Sequence, residues 1–232
     1  CNSIMILTLL ILVPLVAGIL SFAVKGNGAK GLALCSSLVT LAIAAYVSAT
    51  SAEPTVCSMQ WIPRLGTQIS LQADGMSTML CLLVGIVMPV IFISNWNKDV
   101  ERPHAFYGLM LLSQAGITGV FLAYDALLFY FFWELALIPV YFLCSQWGGE
   151  KRIPVTFKFF VYTFVGSLMM LAALIYLSLQ NPGVNAYSWP NIVRAGMSLP
   201  FGAQVSLFWL IFIAFAIKMP IFPFHTCEPV TY

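Results

Sequence analysis

Glu134 stands in the stretch YDALLFYFFWELALIPVYFLCSQW, residues 124–147, with no other charge between Leu127 and Leu143. A helix through this stretch places the carboxylate several turns from either polar end. At the centre of a membrane such a group costs about 2.5–3.5 kcal/mol on insertion scales, and by default it marks an ion or substrate pathway. The competing reading is a core carboxylate, protonated or hydrogen-bonded, that ties helices together. Lys218 is the second such group, preceded by an uncharged run that begins at Gln204. At ~1.5 Å per residue that run sets it roughly 20 Å below the surface. Pro220 and Pro223 follow in KMPIFPFH, residues 218–225. Each removes a backbone donor, so the helix must bend or break beside the lysine. An acid and an amine shielded from water, next to exposed carbonyl groups, have the chemistry of proton transfer.

Four further residues bear on this set. Lys158 comes four residues after Pro154, and either snorkels to the headgroups or delivers protons. Pro139, five residues after Glu134, frees the carbonyl of Leu135 beside the carboxylate, where a water can dock. His104 and His225 fall near helix ends and read as interfacial side chains, with a relay role open for His225 because histidine titrates near neutral pH.

The elements that must position these groups follow from composition. The 232 residues are 61% hydrophobic and 8% charged, with a mean hydropathy of +0.95; an ordinary soluble domain carries about 25% charged residues. The apolar runs approach 20 residues, the length a helix needs to cross a bilayer, and lack the alternation of barrel strands. The fold class is therefore an all-α membrane protein, a polytopic bundle of about seven transmembrane helices. A net charge of +2 without a basic cluster excludes nucleic acid as a partner and makes the lysines and arginines topology signals. The cysteines at 1, 35, 57, 81, 144 and 227 form no CxxC and no His-Cys spacing, so no protein-ligated metal or cluster is expected.

The helices are expected at about 4–24, 31–49, 76–96, 105–123, 126–147, 154–180 and 204–224. Residues 51–75 read as a short hairpin or irregular cap, with Asp74 starting helix three. Only Tyr124 and Asp125 separate helices four and five, and Pro154 suits a first helical position. Residues 181–203 read as a long polar loop. Loops one, three and five hold Lys25, Lys30, Lys98, Arg102, Lys151 and Arg152, against only Arg64 and Arg194 in loops two and six. The positive-inside rule then puts the odd loops in the cytoplasm and the amino terminus outside.

Three motifs carry a resemblance: LLFYFFWELALIPVYFL at 127–143, WGGEKRIPVTFKFFVYTFVGSLMML at 147–171 and FAIKMPIFPFHT at 215–226. Together they resemble the antiporter-like subunit M of bacterial NADH-quinone oxidoreductase, respiratory complex I, whose mitochondrial counterpart is NADH dehydrogenase subunit 4. The resemblance implies a proton-translocating subunit of about 14 helices built from two inverted five-helix repeats. Residues 1–104 then form an amino-terminal three-helix segment. Residues 105–226 form most of one antiporter-like repeat, with a discontinuous helix seven. It further implies proton transfer through Glu134, Lys218 and Lys158, driven by quinone reduction in a distant arm. Flavin, iron-sulfur clusters and quinone would lie in partner subunits. The partners would be other membrane-arm subunits, including sister antiporter-like subunits, and the lipid bilayer. The location would be the bacterial inner (cytoplasmic) membrane, with a periplasmic amino terminus. After Thr226 the family continues with a tryptophan, leucine, proline, aspartate and alanine run, whereas this chain reads Cys227, Glu228, Pro229 and ends in an atypical tail, 227–232. The expectation is an amino-terminal fragment, or a frame-disrupted or misassembled product, inactive alone. The alternatives are a subunit of a multisubunit sodium/proton antiporter or of a membrane-bound hydrogenase, or a non-transporting membrane scaffold.

Overall fold

The structure, a computed structural model, describes residues 2–24, 26, 28–50, 55–183, 185–219 and 221–222. Among them the elements run in the order α1 (Asn2–Ser21), α2 (Gly28–Thr50), β1 (Thr55–Ile62), a 3-10 turn (Pro63–Leu65), β2 (Thr67–Ala73), α3 (Gly75–Ser94), α4 (Pro103–Leu122), α5 (Ala126–Trp147), α6 (Arg152–Gln180), α7 (Trp189–Ser198) and α8 (Phe201–Lys218). Among the described residues, α2, α3, α4, α5, α6 and α8 are long and apolar enough to cross a membrane, and α1 contributes a shorter apolar helix, Met5–Ser21. The bilayer explains why these segments are helical: only a helix or a closed barrel satisfies every backbone group without water.

The helix starts follow local chemistry. Asp74 accepts from the Ser77 N–H at 2.7 Å while the Ser77 hydroxyl oxygen accepts from the Asp74 N–H at 2.8 Å, a reciprocal capping box for α3. The expected cap over 51–75 is a two-stranded hairpin, β1 against β2. Its turn ends at Gly66 with φ +67°, a left-handed conformation that glycine adopts without steric cost.

Three expectations are corrected. Residues 181–203 are not a plain polar loop, because α7 occupies Trp189–Ser198 within them. Pro190 stands in its first turn, where its missing donor costs nothing. Helix six begins at Arg152, so Pro154 is its third residue, still inside the turn whose N–H groups have no intrahelical partner. The last helix, expected over 204–224, runs Phe201–Lys218, which makes Lys218 its final residue. Pro220, Pro223 and His225 lie outside the described residues, and so does the tail.

The chain forms two units. The first comprises Cys1–Ser58, Ser70–Tyr124 and Phe131–Val140, and the second Met59–Ile69, Asp125–Tyr130 and Tyr141–Tyr232. Inside the first, α4 packs on α1, α2 and α3, and α1 on α2, around a core of Ala17, Ala33, Met88, Phe92, Tyr107 and Leu111. Inside the second, α6 packs on α7 and α8.

Candidate functional site

Small residues bring α4 and α5 together in the first unit. A Cβ added at Gly116 would stand 2.8 Å from the Ala136 Cα, and one at Gly119 would collide with the Phe132 ring. With about 100° per residue, Phe132 and Ala136 share one face of α5, turned to α4. Glu134 falls on the opposite face, beside the exposed stripe Phe131, Ile138 and Phe142 and next to the buried Leu137. Its side chain is half-buried, and its Oε1 is buried with no hydrogen-bond partner among the described residues. An unpartnered carboxylate oxygen inside a membrane helix is costly. Pro139 is buried, and α5 runs on through it.

The lysines belong to the second unit. Leu177, near the end of α6, approaches Gly196 of α7, immediately ahead of α8. Helix α8 therefore returns antiparallel to α6, and Gly166 packs on Ala214 and Ile217. That register sets Lys218 level with the buried Thr163, and Lys158 about 8 Å further along α6. Lys218 is half-buried. Lys158 is exposed, with its Nζ 5.7 Å from the Tyr162 ring centroid, a cation–π distance. The structure thus sets both lysines on one helix pair and Glu134 in the other unit. Among the described residues no three His, Cys, Asp or Glu side chains group as a metal site.

Two polar residues gain a place that the sequence reading did not give them. Asp125, 2% exposed, accepts from the Leu127 and Leu128 N–H groups at 3.0 and 3.1 Å, capping α5, and from the Gln68 N–H at 3.2 Å. The Gln68 amide donates to Asn185 Oδ1 at 2.6 Å, and the Ala126 N–H donates to the Tyr187 carbonyl at 2.8 Å. The hairpin turn, the start of α5 and the 185–188 segment are thereby joined. Burial pushes the Asp125 carboxyl above its ordinary range, and the three backbone donors pull the other way. The signal available in the sequence was its position directly before Ala126, where an aspartate caps a helix. Gln114, wholly buried in α4, is the other; its signal was being the one amide side chain in that run.

Residues 123–232 match the family described as "NADH:quinone oxidoreductase/Mrp antiporter, TM". The match runs through 227–232, the stretch expected to depart from the family. The chain is similar to F(420)H(2) dehydrogenase subunit M of Methanosarcina mazei, 38% identical over 97% of this chain and 48% of that one. It is 35% identical to NADH-quinone oxidoreductase subunit M of Escherichia coli strain K12, over 97% of this chain and 48% of that one. Among solved structures, a chain of respiratory complex I from Thermus thermophilus with bound NADH superposes with a TM-score of 0.86 at 28% identity, covering 97% of this chain and 46% of that one. The chain spans about half the length of the curated relatives it matches.

Proposed function

The chain belongs to the NADH:quinone oxidoreductase/Mrp antiporter family of membrane subunits, and from that premise we propose that it serves proton translocation in the membrane arm of an NADH-quinone oxidoreductase. Glu134, Lys218 and Lys158 carry the proton in this reading. The observation that supports it is the Glu134 carboxylate, whose Oε1 is buried in α5 without a partner among the described residues. A carboxylate serving only as a tie between helices would hold a donor on that oxygen. Because it lacks one, a transient proton or water is its natural ligand.

The same proposal sets the flavin, iron-sulfur clusters and quinone in partner subunits. It places the protein in the bacterial inner membrane with a periplasmic amino terminus, next to sister antiporter-like subunits. Residues 1–232 match only half the length of the relatives, so the activity proposed is that of the assembled complex and not of these residues alone. One observation favours a second electron donor: the Methanosarcina relative, named for F(420)H(2), is the more identical of the two curated relatives. Assaying source membranes with each donor separates the two.

The test is Glu134→Gln in the assembled complex. In inverted vesicles the variant is expected to lose proton pumping on the order of a hundredfold, the scale of a lost acid–base group, with the complex still assembled on a native gel. Failure to assemble would support the scaffold reading, and pumping at the parental rate would remove Glu134 from the proton path.

A further inference from the structure

Gln114 is 0% exposed, and neither its Oε1 nor its Nε2 has a hydrogen-bond partner among the described residues. Buried polar groups are almost always paired with protein or with ordered water. Its place in the first unit narrows the choice. Gly116 and Gly119 face α5, and Gln114 lies on the other side of α4, in one stripe with Tyr107, Leu111, Ala115, Thr118 and Leu122, all 1% exposed or less. The Phe92 and Tyr107 rings meet across α3 and α4 at 5.7 Å. Seven residues onward from Tyr107 and seven back from Phe92, about 10 Å along the antiparallel pair, Gln114 is level with Gly85. Gly85 in turn packs on Leu41, next to Thr40 of α2.

Among the described residues no hydroxyl donates to the amide. Thr40 donates to the Ser36 carbonyl at 2.9 Å, Ser37 to Leu34 at 2.9 Å, Ser113 to Leu109 at 3.0 Å and Thr118 to the Gln114 carbonyl at 2.8 Å. A hydroxyl has one proton to give, so each keeps only acceptor lone pairs. No described residue gives the amide Oε1 a donor, and water supplies one while accepting from Nε2 or bridging to a hydroxyl.

We propose that Gln114 anchors a buried water-binding site between α4 and α2, a polar layer on the side of α4 turned away from α5 and Glu134. The site takes water as a small neutral donor and acceptor. It gives the amino-terminal helices an internally hydrated core in place of a dry one.

A map of the assembled complex by electron cryomicroscopy, at a resolution that shows ordered water, is expected to contain density within hydrogen-bond reach of both the Gln114 amide and an α2 or α4 hydroxyl. A Gln114 side chain paired directly with protein atoms, or no density there, would overturn the proposal. Gln114→Leu provides a second reading. If the amide is hydrated, an apolar side chain strands the remaining polar partners and the thermal midpoint of the complex falls by a few degrees. A rise in the midpoint, as expected for relief of a dry unpaired amide, would also overturn it. Neither readout depends on pumping, so the outcome is separate from that of Glu134→Gln.

Discussion

Two aspartates start membrane helices here, and their surroundings move their carboxyls in opposite directions. The Asp74 carboxyl is held below its ordinary value of 3.8 by its bonds from Ser77. A carboxyl depressed on folding contributes stability that is present above the ordinary value and is lost as pH falls through the lower folded one. Asp74→Asn is thus expected to flatten the acid side of a plot of thermal midpoint against pH; an unchanged acid limb would remove the capping box from the account. Asp125 works the other way. Burial raises its folded pKa above 3.8, so folding favours the protonated acid, and its contribution to stability declines as pH rises from 3.8 through the folded value. Asp125→Asn should remove that decline while keeping an oxygen for the α5 cap. Asp125→Ala should cost about 1–2 kcal/mol through the lost cap and also remove the decline, read from thermal midpoints across the pH range. Asp74 was legible as a helix start because its partner is three residues away. The clasp at Asp125 was not, because Gln68 is 57 residues distant and no local pattern records which loop folds back upon it.

Among the elements, α4 and α5 are the pair on which the carboxylate depends. The backbones approach closely because Gly116 and Gly119 present no side chain to Ala136 and Phe132, the small-residue packing expected where lipid supplies no hydrophobic drive between helices. A methyl group at Gly116 would meet backbone atoms of Ala136 at 2.8 and 2.9 Å, which rotamer changes cannot relieve. Gly116→Ala is therefore expected to destabilise by about 1–3 kcal/mol. Gly31→Ala, in α2 with nothing within 4 Å, should stabilise by roughly 0.5–1 kcal/mol. Comparing the thermal midpoints of the two variants checks both, and equal midpoints would mean that α4 and α5 do not meet at Gly116. The span of α5, Ala126–Trp147, was read from the sequence to the residue, since Asp125 and Gly148 bound a run whose one charge is Glu134. The short α7 was missed because a ten-residue helix depends on its packing against α6 more than on its own propensity.

At the scale of the whole molecule, the proposed orientation rests on the lysines and arginines of the odd loops. A cysteine at Lys98 is expected to react with a membrane-impermeant maleimide only in inverted vesicles, and one at the exposed Ser198 only in right-side-out vesicles. The reverse pattern would invert the proposed topology and with it the proposed direction of proton flow. The membrane class, the long apolar spans, the helix start at Asp74 and the isolation of Glu134 were all determined by the sequence itself. Each is a property of one contiguous run, because a bilayer sets the required length and forbids any unpaired backbone within it. The side of α5 from which Glu134 projects was decided only by tertiary structure. So were the complete burial of Gln114 and the seating of Lys158 and Lys218 on one antiparallel pair. Each of these depends on which helix faces meet, and that register is fixed by close contacts at Gly85, Gly116, Gly119 and Gly166 with residues far along the chain.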